Sequence, residues 1–246
     1  GRGTPRNRLR RAAGVAPCKG VGGYAKRASL GVSVIFVDDA LLVLDKPSGL
    51  LAVPGRGADK QDALSTRVQQ QYPDALIVHR LDMATSGLML MARGSQVQRL
   101  LSKSFADREV SKRYEAVVDG RLSPAAGAPG GWGVIDLPIM VDWPRRPLRI
   151  IDAERGQPSL THWQVLSYDA ASHTTRVALV PITGRSHQLR VHLQALGHPI
   201  VGDMLYASAA AQAKASRLLL HACALALTHP VSGEPLAFES PVPFER

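Results

Sequence analysis

Two short stretches hold most of the side chains able to do chemistry. The first is His79-Arg80-Leu81-Asp82-Met83-Ala84-Thr85-Ser86-Gly87. It gathers a carboxylate, a guanidinium, an imidazole and several turn-forming groups between the apolar runs 76–78 and 88–92. Loops held by rigid strands are where catalytic groups concentrate. The same residues also suit an ordinary turn, in which Asp82 accepts from the Thr85 or Ser86 amide and Gly87 takes an unusual φ. The second stretch is Pro181-Ile182-Thr183-Gly184-Arg185-Ser186-His187-Gln188-Leu189-Arg190-Val191-His192. Leu189, Leu193 and Leu196 follow helical spacing over 184–196, with Thr183 positioned to cap and Gly184 to allow close packing. Arg185 would then stand in the first helical turn, where a cation opposes the helix dipole. That cost predicts an anionic partner, either a buried carboxylate such as Asp82 or a phosphate. A solvated Arg185 is the plain alternative.

His187 and His192 lie about 140° apart around a helix, so they cannot share one face. There is also no HExxH pattern. Structural or RNA-contacting histidines are expected here, not a metal site. Gly130-Gly131-Trp132-Gly133 lacks the Lys and helix of a phosphate loop, so no nucleotide cofactor is indicated. Arg145, Arg146 and Arg149 surround Trp143-Pro144. Such a loop suits unpaired RNA, because cations meet phosphates and rings stack on bases. The alternative is a solvated loop with Trp143 tucked in.

Strands and helices must position these groups. Residues 34–37 and 41–44 flank Asp38-Asp39-Ala40 and predict a hairpin. Leu64, Val68 and Tyr72 give 62–71 the spacing of a short helix, and 95–107 is a clearer one, with Val97, Leu100, Leu101 and Phe105 on one face. Residues 76–78, 88–92, 113–118, 161–168, 176–180, 218–228 and 235–238 read as strands, and 207–217 as an Ala-rich helix. The Pro-, Gly- and Ala-rich stretch 123–133 reads as a loop or weak internal boundary. The pattern is α+β.

The chain has 246 residues, 45% of them hydrophobic, and a formal net charge of +10. That composition supports a packed core and excludes wholesale disorder. Eight basic residues and no acid fall within 1–31, which leaves 22 basic against 20 acidic residues in 32–246. The excess charge therefore belongs to a basic tail, expected to be disordered, ahead of one domain over 32–246. Cys18 and Cys223 form neither a CxxC pair nor a disulfide framework, which fits a reducing compartment. No apolar run reaches the ~18 residues of a membrane span, and no secretory signal is evident. A cytoplasmic protein with no membrane partner is expected.

His79-Arg80-Leu81-Asp82 with Thr85-Ser86-Gly87 resembles the signature of the RluA family of RNA pseudouridine synthases. The stretch from Thr183 to His192 resembles that family's second motif. Lys46-Pro47-Ser48-Gly49 and Lys112-Arg113-Tyr114 match two more, in the expected order across about 32–240. Met83-Ala84, and Asp142-Trp143-Pro144 with Arg146-Pro147, are most similar to the dual-specificity subgroup. The resemblance implies rRNA and tRNA substrates: a uridine in large-subunit rRNA and one in a tRNA anticodon stem-loop. It implies a mixed, mostly antiparallel central β-sheet with flanking helices and a central cleft, acting as a monomer without cofactor or metal. Asp82 becomes the essential catalytic residue, as nucleophile or as base. Tyr114 would stack near the uracil and assist removal of the C5 proton. Arg185 would keep Asp82 ionised against desolvation. Leu189 would pack on the base, and Arg80 would fill the space the flipped base leaves. Lys46 would support the pocket or a phosphate, with His79 and Arg146 also on the substrate side. Ser186 replaces a common Thr, and Asp45 a common Asn, away from the implied chemistry. The tail is too short for the S4 RNA-binding domain that many relatives carry.

If residues 1–31 contact RNA through charge, deleting them lowers affinity and flattens its dependence on salt. Equal affinity and an equal salt slope for the shortened chain would refute that role.

Overall fold

A computed structural model describes residues 30–245. The basic tail expected over 1–31 therefore falls outside the described residues, apart from Leu30 and Gly31. The chain runs β1 (Ser33–Val37), β2 (Leu41–Lys46), α1 (Leu64–Gln69), β3 (Ala75–Ile77), β4 (Ser86–Arg93), α2 (Ser95–Ala106) and β5 (Ser111–Asp119). It continues through β6 (Gly133–Asp136), β7 (Ile139–Val141), β8 (Arg149–Ile151), β9 (Leu160–Asp169) and β10 (Thr174–Pro181). The last elements are α3 (Gln188–Ala195), α4 (Ala209–Gln212), β11 (Leu220–Thr228) and β12 (Pro235–Glu239). This is an α+β fold, as the residue pattern predicts, and its strands pair antiparallel, as the resemblance implies. No helix among the described residues is long and apolar enough to cross a membrane. The described residues divide into two compact units, 30–112 with 222–241, and 113–221 with 242–245.

In the first unit, β1 and β2 form the expected hairpin. Asp38 closes its turn by accepting the Ala40 and Leu41 amides at 2.7 and 2.9 Å. β2 pairs antiparallel with β4, from Leu41 opposite Ala92 to Lys46 opposite Gly87. Each strand carries an unbroken apolar run, 41–44 in β2 and 88–92 in β4, as strands covered on both faces do. Leu41, Val43, Leu88 and Leu90 are buried with Leu101, Val110, Leu225 and Leu227. β3 adds to β4, and β12 to β11. α2 sends Leu101 into this core, with Val97 and Phe105 beside it. Leu100, expected on the same face, is 43% exposed. The buried stripe runs through positions four apart, and a neighbouring residue is rotated ~100° off it.

In the second unit, β5 pairs with β10, β10 with β9 and β9 with β6, all antiparallel. Ile139, Val191 and Tyr206 form a small core, with Leu148 and Ile151 packed against it beside the β7–β8 hairpin. α3 begins at Gln188, later than the expected start near 184. His187 ahead of it is left-handed, with φ 57. Arg185 therefore lies in the preceding turn and does not oppose the helix dipole from within the first turn. The Ala-rich stretch 207–217 shrinks to α4, capped by the Ser208 hydroxyl accepting the Ala211 amide at 3.2 Å. Ala211 is its one buried residue, and a segment without an apolar stripe gains no packing that would extend it.

Gly87 has φ +117, and a Cβ there would meet the Ala222 carbonyl oxygen at 2.2 Å. Both backbone and neighbour demand glycine. Gly87→Ala should lower unfolding stability by about 2–4 kcal/mol, read from the urea midpoint. An unchanged midpoint would contradict this packing.

Candidate functional site

In the first unit, the stretch between β3 and β4 alternates inward and outward, as an extended chain does. His79 is largely enclosed and Leu81 is buried, whereas Arg80 and Met83 are exposed and Asp82 is half-buried. The His79 ring stacks on Phe105 with centroids 4.5 Å apart. Its Nε2 accepts the Leu90 amide at 2.8 Å. An Nε2 that accepts belongs to a neutral ring protonated on Nδ1. Burial pushes the His79 pKa down to about 3, and Lys112 nearby pushes the same way. Lys112 is itself pushed down by burial, to about 8.

Lys46 grips the loop from β2 and is 1% exposed. Its Nζ donates to the carbonyls of Pro47 at 2.9 Å, Leu50 at 2.7 Å and Met83 at 3.0 Å. The Ser48 hydroxyl donates to the Ala84 carbonyl at 2.7 Å, and the Gly49 amide to Met83 at 2.8 Å. The Thr85 amide closes the turn on the Asp82 carbonyl at 3.1 Å. The Lys46–Gly49 turn thus holds the backbone immediately after Asp82.

In the second unit, Tyr114 lies half-buried on β5 opposite Leu179 of β10. Gln188 organises the turn that carries Arg185. Its Oε1 accepts the Thr183 hydroxyl at 2.7 Å and the Arg185 amide at 3.1 Å. Its Nε2 donates to the Leu160 carbonyl and the Thr161 hydroxyl, both at 3.0 Å. Thr183, expected as a helix cap, instead accepts the Leu160 amide at 2.9 Å. The Arg185 guanidinium donates to the Pro158 carbonyl through Nε and Nη2, each at 3.3 Å. Leu189 is buried.

Arg190 makes a buried two-point ion pair with Asp203 at 2.9 and 2.7 Å. The Tyr206 ring lies 5.3 Å from the Arg190 guanidinium. The Tyr206 hydroxyl meets His187 Nδ1 at 2.6 Å and accepts the Arg149 amide at 2.9 Å. Burial pushes the Tyr206 pKa up, so it remains a phenol. His192 bonds the Thr161 hydroxyl through Nδ1 at 2.8 Å and the Leu137 carbonyl through Nε2 at 2.9 Å, which is a structural role. Among the described residues no group of three His, Cys, Asp or Glu could hold a metal.

The first unit thus gathers Lys46, His79, Arg80 and Asp82, while Tyr114, Arg146, Arg185 and Leu189 belong to the second. Sequence reasoning missed Gln188, Asp203 and Tyr206. Only Arg190 carried a signal, as an Arg among apolar helix positions that needs a buried partner.

Residues 40–195 match the family described as RNA pseudouridylate synthase. The chain is 50% identical over 211 residues to the dual-specificity RNA pseudouridine synthase RluA of Escherichia coli (strain K12), covering 86% of this chain and 93% of that protein. The namesake in Haemophilus ducreyi is 47% identical over 206 residues, covering 84% and 91%. Among solved structures, human RNA pseudouridylate synthase domain containing 1 superposes with TM-score 0.71 at 28% identity, covering 87% of this chain and 84% of that one. Human RNA pseudouridylate synthase domain containing 4 gives 0.65 at 27%, covering 85% and 88%.

The neutral His79 makes a signed prediction. Its folded pKa of about 3 lies below the ordinary 6.5, so between those values the unfolded chain binds the extra proton. Stability is therefore lost as pH falls through that window. His79→Gln should lose less stability than the parent chain between about pH 7 and about pH 4, read from urea midpoints. Parallel losses would show that His79 is not the source.

Proposed function

The chain belongs to the RNA pseudouridylate synthase family, and on that premise we propose that it isomerises uridines in large-subunit rRNA and in a tRNA anticodon stem-loop. The observation that carries this reading is the 50% identity extending over 93% of a dual-specificity synthase. The reaction breaks the bond from ribose C1′ to uracil N1 and forms one to C5. The C5 proton leaves and N1 gains a proton, so atoms balance without redox change or cofactor.

Asp82 is the catalytic group in this reading, as nucleophile or as base. The Lys46 and Ser48 contacts support it by fixing the backbone that follows Asp82, since a reacting group gains most from a defined position. Arg185 serves as the guanidinium that opposes desolvation of the carboxylate. Tyr114 stacks near the uracil and assists removal of the C5 proton. Leu189 packs against the base, Arg80 occupies the space that base leaves on flipping, and Arg146 meets the RNA. His79 is assigned to holding the loop, because its ring is already engaged by Leu90 and Phe105. The enzyme acts as a cytoplasmic monomer.

Asp82→Asn should reduce pseudouridine formation by at least about 10³-fold, with RNA affinity within a few-fold of the parent. Retained product would overturn the assignment of Asp82. Mapping of modified uridines after incubation with a large-subunit rRNA fragment and with a tRNA stem-loop tests the dual substrate. Product on only one of them removes the other from the proposal.

A further inference from the structure

The β7–β8 connection presents an aromatic surface that the reaction chemistry does not use. Trp143 is 60% exposed. An exposed indole offers a π-face on which an unpaired base can stack. The Arg146 guanidinium lies 5.2 Å from the ring centroid, in cation–π contact.

The loop beneath the ring is pinned at several points. The Asp142 carboxylate is buried and takes the Arg145 guanidinium at 2.7 Å. The Asp142 amide donates to Leu148 at 2.9 Å, and the Leu148 amide to Arg145 at 3.0 Å. Pro144 restricts the backbone beside Trp143. The Tyr206 hydroxyl takes the Arg149 amide and also holds His187, in the turn that carries Arg185. The backbone that carries Trp143 is therefore held before any ligand arrives, which lowers the entropy cost of ordering the loop.

We propose that Trp143, with Arg146 over its ring, is a base-stacking site for an unpaired nucleotide of the RNA substrate. This rests on the reading that the substrate is RNA. An indole accepts any base through its π-face, and a neighbouring cation meets the adjoining phosphate. Stacking needs an unpaired base, so the site discriminates a loop from a duplex. It does not touch the reacting atoms.

The test measures Kd over a salt series for a synthetic RNA stem-loop and for a blunt RNA duplex of equal length. Trp143→Ala should raise Kd for the stem-loop by about 5- to 150-fold, leave the duplex unaffected and leave the salt slope unchanged. Trp143→Phe should restore most of the affinity. Arg146→Gln should reduce the salt slope by about one phosphate contact. Trp143→Ala should have no further effect on a stem-loop with abasic loop positions. An unchanged Kd, an equal rise on the duplex, or a reduced salt slope in Trp143→Ala overturns the stacking role. Pseudouridine formation by the parent chain on the same stem-loop is scored alongside. Product with no Trp143 effect sinks stacking alone, whereas the Trp143 effect without product on any RNA sinks the proposed activity and leaves stacking standing.

Discussion

Lys46 brings an ammonium into surroundings that exclude water, and three backbone carbonyls take the place of its hydration. Desolvating a charge costs several kcal/mol unless such partners are supplied. The carbonyls must therefore stay where the ammonium needs them. One belongs to Met83, the residue after Asp82. A constraint that begins as a solvation requirement in β2 thus fixes the path of the loop carrying Asp82. The β2–β4 register places Lys46 opposite Gly87, at the far end of the same loop. Gly87 in turn lets that strand approach Ala222 more closely than any side chain would allow.

The second unit reaches a comparable rigidity with different groups. Its turn is bound by Gln188, a neutral amide able to donate and accept at once. His187 holds a left-handed conformation that costs about 1 kcal/mol or more for a residue with a Cβ. The Tyr206 hydroxyl on its ring and the Gln188 contacts beside it are what keep that conformation populated. Tyr206 also bonds the Arg149 amide, so one phenol joins two cationic segments that lie far apart in sequence.

Much of this was legible from residue types. Apolar runs mark β2, β4 and β10, and the His79–Gly87 and Thr183–His192 stretches stand out by residue type alone. What escaped were features set by tertiary contacts. The spacing of Leu189 and Leu193 is helical, but nothing in it records that His187 turns left-handed and delays α3 to Gln188. Leu100 fits an apolar face by type, yet lies just off the stripe that Leu101 occupies. Asp203 looks like any acid after a glycine until the fold brings Arg190 to it. Local periodicity reports which face is apolar, and does not report which distant polar group will meet a buried one.

The ion pairs also change what the charge count means. Arg190 is held by Asp203 and Arg145 by Asp142, so neither counts as free positive charge toward an anionic ligand. A buried pair such as Arg190–Asp203 contributes little net stability, since desolvation offsets most of its attraction. Its value here lies in direction, because a two-point contact fixes the guanidinium plane on which the Tyr206 ring rests. Fixing that ring fixes its hydroxyl, and through it both His187 and Arg149. Basic and acidic residues nearly balance over 32–246, so these pairs supply direction at each contact and not a broad field of positive charge.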